Sequence, residues 1–196
     1  IIFYSIDNAK KSKLFQKIHV STEDGEIIKK VSKYGLKIDF KRPRILSKDD
    51  TKLSSVIKHV VKTYNDMNLR FDEIWLIYPC APLTKPDDLI RAAKIFNTSN
   101  KKYPLATFRE FDAPLEWAFK KNNSTFSAVN KKKLLANSQK LKKHYYESAS
   151  FVVFSNDHVS KNMIFSKYYG LIFSKNLAVD IDNEEDWKLA EMLYDR

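Results

Sequence analysis

A chain of 196 residues fits one domain and is long enough to bury a core. Its 35 Lys and Arg against 24 Asp and Glu give a formal charge of +11, but the lysines are spread along the whole sequence. They are densest at residues 131–133 with Lys140, Lys142 and Lys143 behind, and they carry no nucleic-acid motif, so the charge argues for a solvated lysine-rich surface that still attracts an anionic substrate such as a nucleoside triphosphate. The single cysteine, Cys80, excludes an internal disulfide and fits a reducing compartment, no apolar run approaches membrane-spanning length, and no charged-then-apolar signal opens the chain, so the expected location is the cytoplasm.

In chain order, Ile2, Ser5, Ile6, Ala9 and Phe15 fall near helical spacing, and residues 17–21 alternate as a short strand around Ile18 and Val20. Thr22-Glu23-Asp24 signals a helix start before Ile27, Ile28, Val31 and Tyr34; Gly35 ends that helix, which leaves residues 36–40 as a second short strand. After Arg42-Pro43, a longer helix carries Leu53, Val56, Ile57, Val60, Val61, Tyr64 and Met67 on one side. Ile74-Trp75-Leu76-Ile77-Tyr78 is an unbroken apolar run, the pattern of a strand buried on both faces of a parallel sheet, and it stops at Pro79.

A helix through Leu89, Ile90, Ala93 and Phe96 and a strand over residues 104–108 continue the alternation, which predicts an α/β doubly wound sheet. Ligands of such sheets sit outside the carboxyl ends of the strands, where Tyr78-Pro79-Cys80-Ala81-Pro82 falls. Residues 111–143 break the pattern: two apolar stretches flank a polar loop at residues 120–125, which predicts a hairpin, and a lysine-rich segment follows as an insertion. Residues 151–154 and 171–173 return to the sheet, and a last helix is expected to pack Trp187, Ala190, Leu193 and Tyr194.

The nine residues Val179-Asp180-Ile181-Asp182-Asn183-Glu184-Glu185-Asp186-Trp187 place two carboxylates two apart just before that helix. In extended chain, Asp180 and Asp182 project from one face, and two hard oxygen ligands there suit a Mg²⁺ that keeps waters and takes phosphate oxygens as further ligands. The competing reading is helix capping by Asp182 or Asn183, which leaves Asp180 unexplained. The four histidines show no metal-ligand spacing.

Four segments in this order resemble the cytidylyltransferases that activate nonulosonic acids as CMP derivatives: Tyr4-Ser5-Ile6-Asp7-Asn8-Ala9-Lys10-Lys11-Ser12-Lys13-Leu14-Phe15; Val20-Ser21-Thr22-Glu23-Asp24 with Glu26-Ile27; Tyr78-Pro79-Cys80-Ala81-Pro82-Leu83; and Asp180-Ile181-Asp182-Asn183. The resemblance is strongest to the pseudaminic acid enzymes, because the tyrosine at position 78 and the run after it are similar to theirs; sialic acid enzymes usually carry glutamine there. It implies a Rossmann-like nucleotidyltransferase sheet, Mg²⁺ as cofactor, and transfer of CMP from CTP to the sugar with loss of pyrophosphate. It further implies Asp180 and Asp182 as metal-binding and catalytic, Arg42 and Ser54 as nucleotide-binding, Tyr78 and Cys80 as substrate-binding, and a homodimer formed through the inserted segment at residues 111–143. No nucleic-acid or membrane partner is expected.

Departures from the family pattern are also plain. The family opens with a strand and a basic Ala-Arg-x-x-Ser-Lys loop that precede the matched residues, so the expectation is a fragment short of that strand and loop, with doubtful activity and an unpaired strand edge. Asn137 and Lys140 stand where pseudaminic acid enzymes tend to have arginine and aspartate, and Glu147-Ser148-Ala149 where they have Asp-Ala-Gly. These leave legionaminic acid or another relative open as the sugar, and a non-catalytic binding or assembly protein as the alternative.

Overall fold

The computed structural model describes residues 1–161, 163–175, 177 and 179–194. Helix α1 (Ile2–Ser12) buries Ser5, Ile6 and Ala9, and α2 (Gly25–Lys33) starts where Asp24 accepts the N–H groups of Glu26 and Ile27. After α3 (Leu53–Asp66), β1 (Glu73–Ile77) leads to α4 (Pro86–Thr98) and β2 (Leu105–Glu110). A hairpin of β3 (Phe119–Asn122) and β4 (Thr125–Ala128) follows, then β5 (Tyr145–Ser155), the short α5 (Asn156–Ser160), β6 (Tyr169–Phe173) and α6 (Glu184–Tyr194).

The main sheet has the order β1-β5-β2-β6. It is mixed rather than parallel: β5 runs antiparallel to both β1 and β2, and only β2 and β6 are parallel. Alternation along the strands sorts side chains to two faces. Phe151, Val153 and Leu105 join Leu89, Ala92 and Phe96 of α4, with Trp75 and Ile77 beside them. Val152, Phe154 and Ala106 join Ile57 of α3 and Val159 of α5, with Ile74, Leu76 and Tyr78 on that side. Helices therefore cover both faces, the doubly wound arrangement that the sequence pattern implies.

Three expectations need correction. The apolar run in β1 does face helices on both sides, but β1 is an edge strand with an antiparallel neighbour, and all five of its residues are only half-buried. Residues 17–21 and 36–40 are not strands. Residues 17–22 line a cleft of about 510 Å³ together with α1, α3 and β1, and residues 17–21 join no hydrogen-bond ladder. Side chains hold these two segments instead: Lys17 pairs with Asp39, and the Tyr64 hydroxyl of α3 donates to Asp39 Oδ2 at 2.7 Å while lying 3.2 Å from His19 Nδ1. In α6, Ala190 and Leu193 pack, whereas Trp187 and Tyr194 are largely exposed, Tyr194 resting edge-on against Tyr4.

The hairpin at residues 119–128 forms its own two-stranded sheet. Phe119, Phe126, Val129 and Leu135 of this region are exposed. Among the described residues, no helix is long and apolar enough to cross a membrane.

Candidate active site

At the entrance to α6 the structure shows which side chains cap the helix. Asn183 Oδ1 accepts the N–H groups of Glu185 at 2.9 Å and Asp186 at 3.0 Å, and Asp186 Oδ2 accepts those of Asn183 at 3.1 Å and Asp182 at 3.2 Å. Asn183 and Asp186 thus form a reciprocal cap. The carboxylates of Asp180 and Asp182 take no part in it, and neither accepts a hydrogen bond or ion pair among the described residues.

Residues 179–182 are not a strand, yet their side chains alternate as one would. Val179 is buried with Leu83 and Ala190, and Ile181 packs against the same cluster with Leu193. The Ile181 N–H donates to the Cys80 carbonyl at 3.0 Å. That bond fastens the aspartate segment to the turn that follows β1, so the carboxylates lie at the carboxyl end of a sheet strand, where α/β folds bind ligands.

Burial raises the Asp180 pKa above the usual carboxylate range, and the charges of Asp182 and Asp186 push it further the same way. Two mutually repelling carboxylates with no protein cation beside them are suited to a divalent ion, which would reverse that penalty. Among the described residues no group of three or more His, Cys, Asp or Glu side chains forms a ready metal cage. Two carboxylates supply only part of a divalent ion's oxygen shell, and a Mg²⁺ held there would take its remaining ligands from water or phosphate.

A cleft of about 240 Å³ opens between the start of α3 and strands β1, β2 and β5. Ser54 and Tyr78 line it together, as do Glu147, Phe108 and Tyr168. Burial, then the charges of Glu147 and Asp180, push the Tyr78 phenol up to about 12, so it stays a hydrogen-bond donor at neutral pH. Burial raises Glu147, with Asp180 adding to it. Cys80 is raised by burial and by Asp180 and Asp182, which keeps it a thiol rather than a nucleophilic thiolate.

Arg42 lies elsewhere. It borders the larger, apolar cleft, and its guanidinium binds Glu23 Oε2 through Nη2 at 2.7 Å and Nε at 3.1 Å, which holds the Glu23 carboxyl down at about 2. Tyr78 lines both clefts, as do Leu53, Ile57 and Leu76. The structure thus brings Ser54 and Tyr78 into one cleft and ties Cys80 to the aspartate segment, while Arg42 is committed to a carboxylate. Glu147, marked in the sequence only as a departure from the family's Asp-Ala-Gly run, and Tyr168, which no motif marks, line the same cleft.

The helix-covered α/β sheet carries a free carboxylate pair at a strand's carboxyl end, and the family match makes the protein a nucleotidyltransferase. The chain belongs to the cytidylyltransferase family, whose model matches residues 1–191. It is 31% identical to the pseudaminic acid cytidylyltransferase of Campylobacter jejuni subsp. jejuni serotype O:2, over 99% of this chain and 84% of that protein. It is 29% identical to a CMP-N,N'-diacetyllegionaminic acid synthase of the same organism, over 98% of this chain and 83% of that one. In fold it matches CMP:2-keto-3-deoxy-manno-octonic acid synthetase complexed with CTP, with a TM-score of 0.71 and 10% identity, over 100% of this chain and 88% of the other.

The two roles at the start of α6 separate by stability. Asn183→Ala should cost about 1 kcal/mol of unfolding free energy, whereas Asp182→Ala should leave the urea midpoint nearly unchanged. A large loss from Asp182→Ala would assign it to the cap.

Proposed function

We propose that the protein transfers CMP from CTP to a nonulosonic acid, pseudaminic acid or a close relative, and releases pyrophosphate. The observation that carries this reading is the pair Asp180 and Asp182, excluded from the helix cap and fastened beside the Tyr78 cleft through the bond from Ile181 to Cys80. Similarity to both pseudaminic and legionaminic acid enzymes supports the sugar class.

In this reaction the sugar's anomeric oxygen forms a bond to the α-phosphorus of CTP as the bond to the β-phosphate oxygen breaks. The hydroxyl proton is lost and pyrophosphate carries away the electron pair. Asp180 and Asp182 would hold Mg²⁺, which when bound neutralises phosphate charge. Ser54, in the first turn of α3, sits where helix N–H groups favour an anion. Tyr78 offers a neutral hydroxyl to the sugar, and Cys80 contributes its carbonyl to the position of the aspartates. The net charge of +11 draws the nucleotide in.

The exposed apolar residues of the hairpin region, Phe119, Phe126, Val129 and Leu135, support pairing with a second copy of the chain. Sedimentation should then show a dimer that Phe126→Lys weakens; a wild-type monomer at micromolar concentration would end that proposal.

The activity is tested by pyrophosphate release from CTP and Mg²⁺ with a panel of nonulosonic acids, using the full-length protein. Release is expected with at least one sugar, and Asp182→Asn should lower kcat by roughly 100-fold or more with an unchanged thermal midpoint. No release with any sugar would overturn the proposal.

A further inference from the structure

The ladder between β2 and β5 slips once. Ala106 lies opposite Val152, but Phe108 lies opposite Glu147, so β2 advances two residues while β5 advances five. The odd surplus inverts the alternation. Counted regularly from Val152, which faces α3, Glu147 would fall on the α4 face. Instead it stands opposite Phe108, which packs with Ile57 and Val152 on the α3 side, and it borders the 240 Å³ cleft.

The bulge is held at a backbone cost. Ala149 has φ 49°, a left-handed conformation that costs a residue with a side chain on the order of 1 kcal/mol. Its N–H donates to Glu147 Oε1 at 3.2 Å. The carbonyl of the next residue, Ser150, receives the N–H of Tyr78 at 3.1 Å, and the buried Thr107 hydroxyl takes the N–H of Phe151 at 3.5 Å. The bulge therefore positions Glu147 at the cleft that Tyr78, paired in register with Ser150, also borders.

Glu147 has no ion-pair partner among the described residues, although the chain is strongly basic. A carboxylate in this place repels an anionic group set directly beside it. The part of the substrate next to Glu147 is then uncharged and bears a hydrogen-bond donor. Below the carboxylate the cleft is lined by Ile57, Leu76, Ala106 and Val152, which suits a short apolar group beside that donor.

Resting on the proposed transferase activity, we infer that Glu147 is a specificity-determining residue for the acceptor sugar: its carboxylate accepts a hydrogen bond from an acylamino N–H, whose short acyl group lies on the apolar floor of the cleft. Tyr168, on the rim of the same cleft, closes it from the β6 side.

Steady-state kinetics of the full-length enzyme with Glu147→Gln and Glu147→Asp test this, with each sugar compared with an analogue in which one acylamino group is replaced by hydrogen. Glu147→Gln should raise the sugar KM by roughly 10- to 100-fold, the size of a lost hydrogen bond to a charged group. The CTP KM should stay within twofold, and Glu147→Asp should recover part of the loss. For one analogue, wild type should lose as much as the variant does, and the two losses should not add. A sugar KM unchanged in the variants, a parallel rise in the CTP KM, or additive losses for every analogue would overturn the assignment of Glu147. Absence of wild-type turnover would instead overturn the activity on which it rests.

Discussion

The hydrogen bond from the Ile181 N–H to the Cys80 carbonyl is the constraint on which the site depends. It joins the chain just before the last helix to the turn after the first strand, and no other contact of that segment is backbone to backbone across the fold among the bonds described. Val179 and Ile181 support it by packing on Leu83 and Ala190. With the apolar residues turned inward, Asp180 and Asp182 have only the outward side left. The Asn183 and Asp186 cap then satisfies the helix N–H groups, so the helix does not draw on either aspartate.

The electrostatics follow from that arrangement. A buried or half-buried carboxylate near like charges is costly unless something positive arrives. Here burial raises the pKa values of Asp180, Tyr78 and Cys80, and neighbouring carboxylates push each further the same way. The protein's arginine nearest in role, Arg42, is already bound to Glu23. A basic chain has thus gathered, at a strand end, carboxylates without an ion-pair partner among the described residues, which supports the proposed metal and phosphate site.

Much of this was legible in the sequence, and the failures share a physical cause. Helices whose start and periodicity are local were readable: Asp24 caps α2, and Val56, Ile57 and Tyr64 mark the buried side of α3. The apolar run at Ile74 to Ile77 showed two covered faces, but nothing in one strand's composition states the direction of its neighbour, and β5 is antiparallel. Alternation at residues 17–21 looked like a strand because a strand is defined by a partner that the sequence does not display; these residues line a cleft of about 510 Å³ and join no ladder. Asp180 and Asp182 were legible as a pair, while the choice of Asn183 over Asp182 as the cap needed geometry. The place of Glu147 in the cleft was hidden for a different reason: its face is set by an odd-numbered slip against β2, and parity counted along β5 alone gives the wrong side.

The most direct measurement is a Mn²⁺ titration followed by electron paramagnetic resonance, with and without CTP, on wild type and on the Asp180→Asn, Asp182→Asn double variant. Free Mn²⁺ should fall only slightly with wild type alone and sharply when CTP is added beyond what CTP itself binds, because two carboxylates need phosphate oxygens to complete the ion's shell. The double variant should lose that added binding while keeping its thermal midpoint. Undiminished Mn²⁺ and CTP binding by the folded double variant would contradict the placement of the metal on these two aspartates.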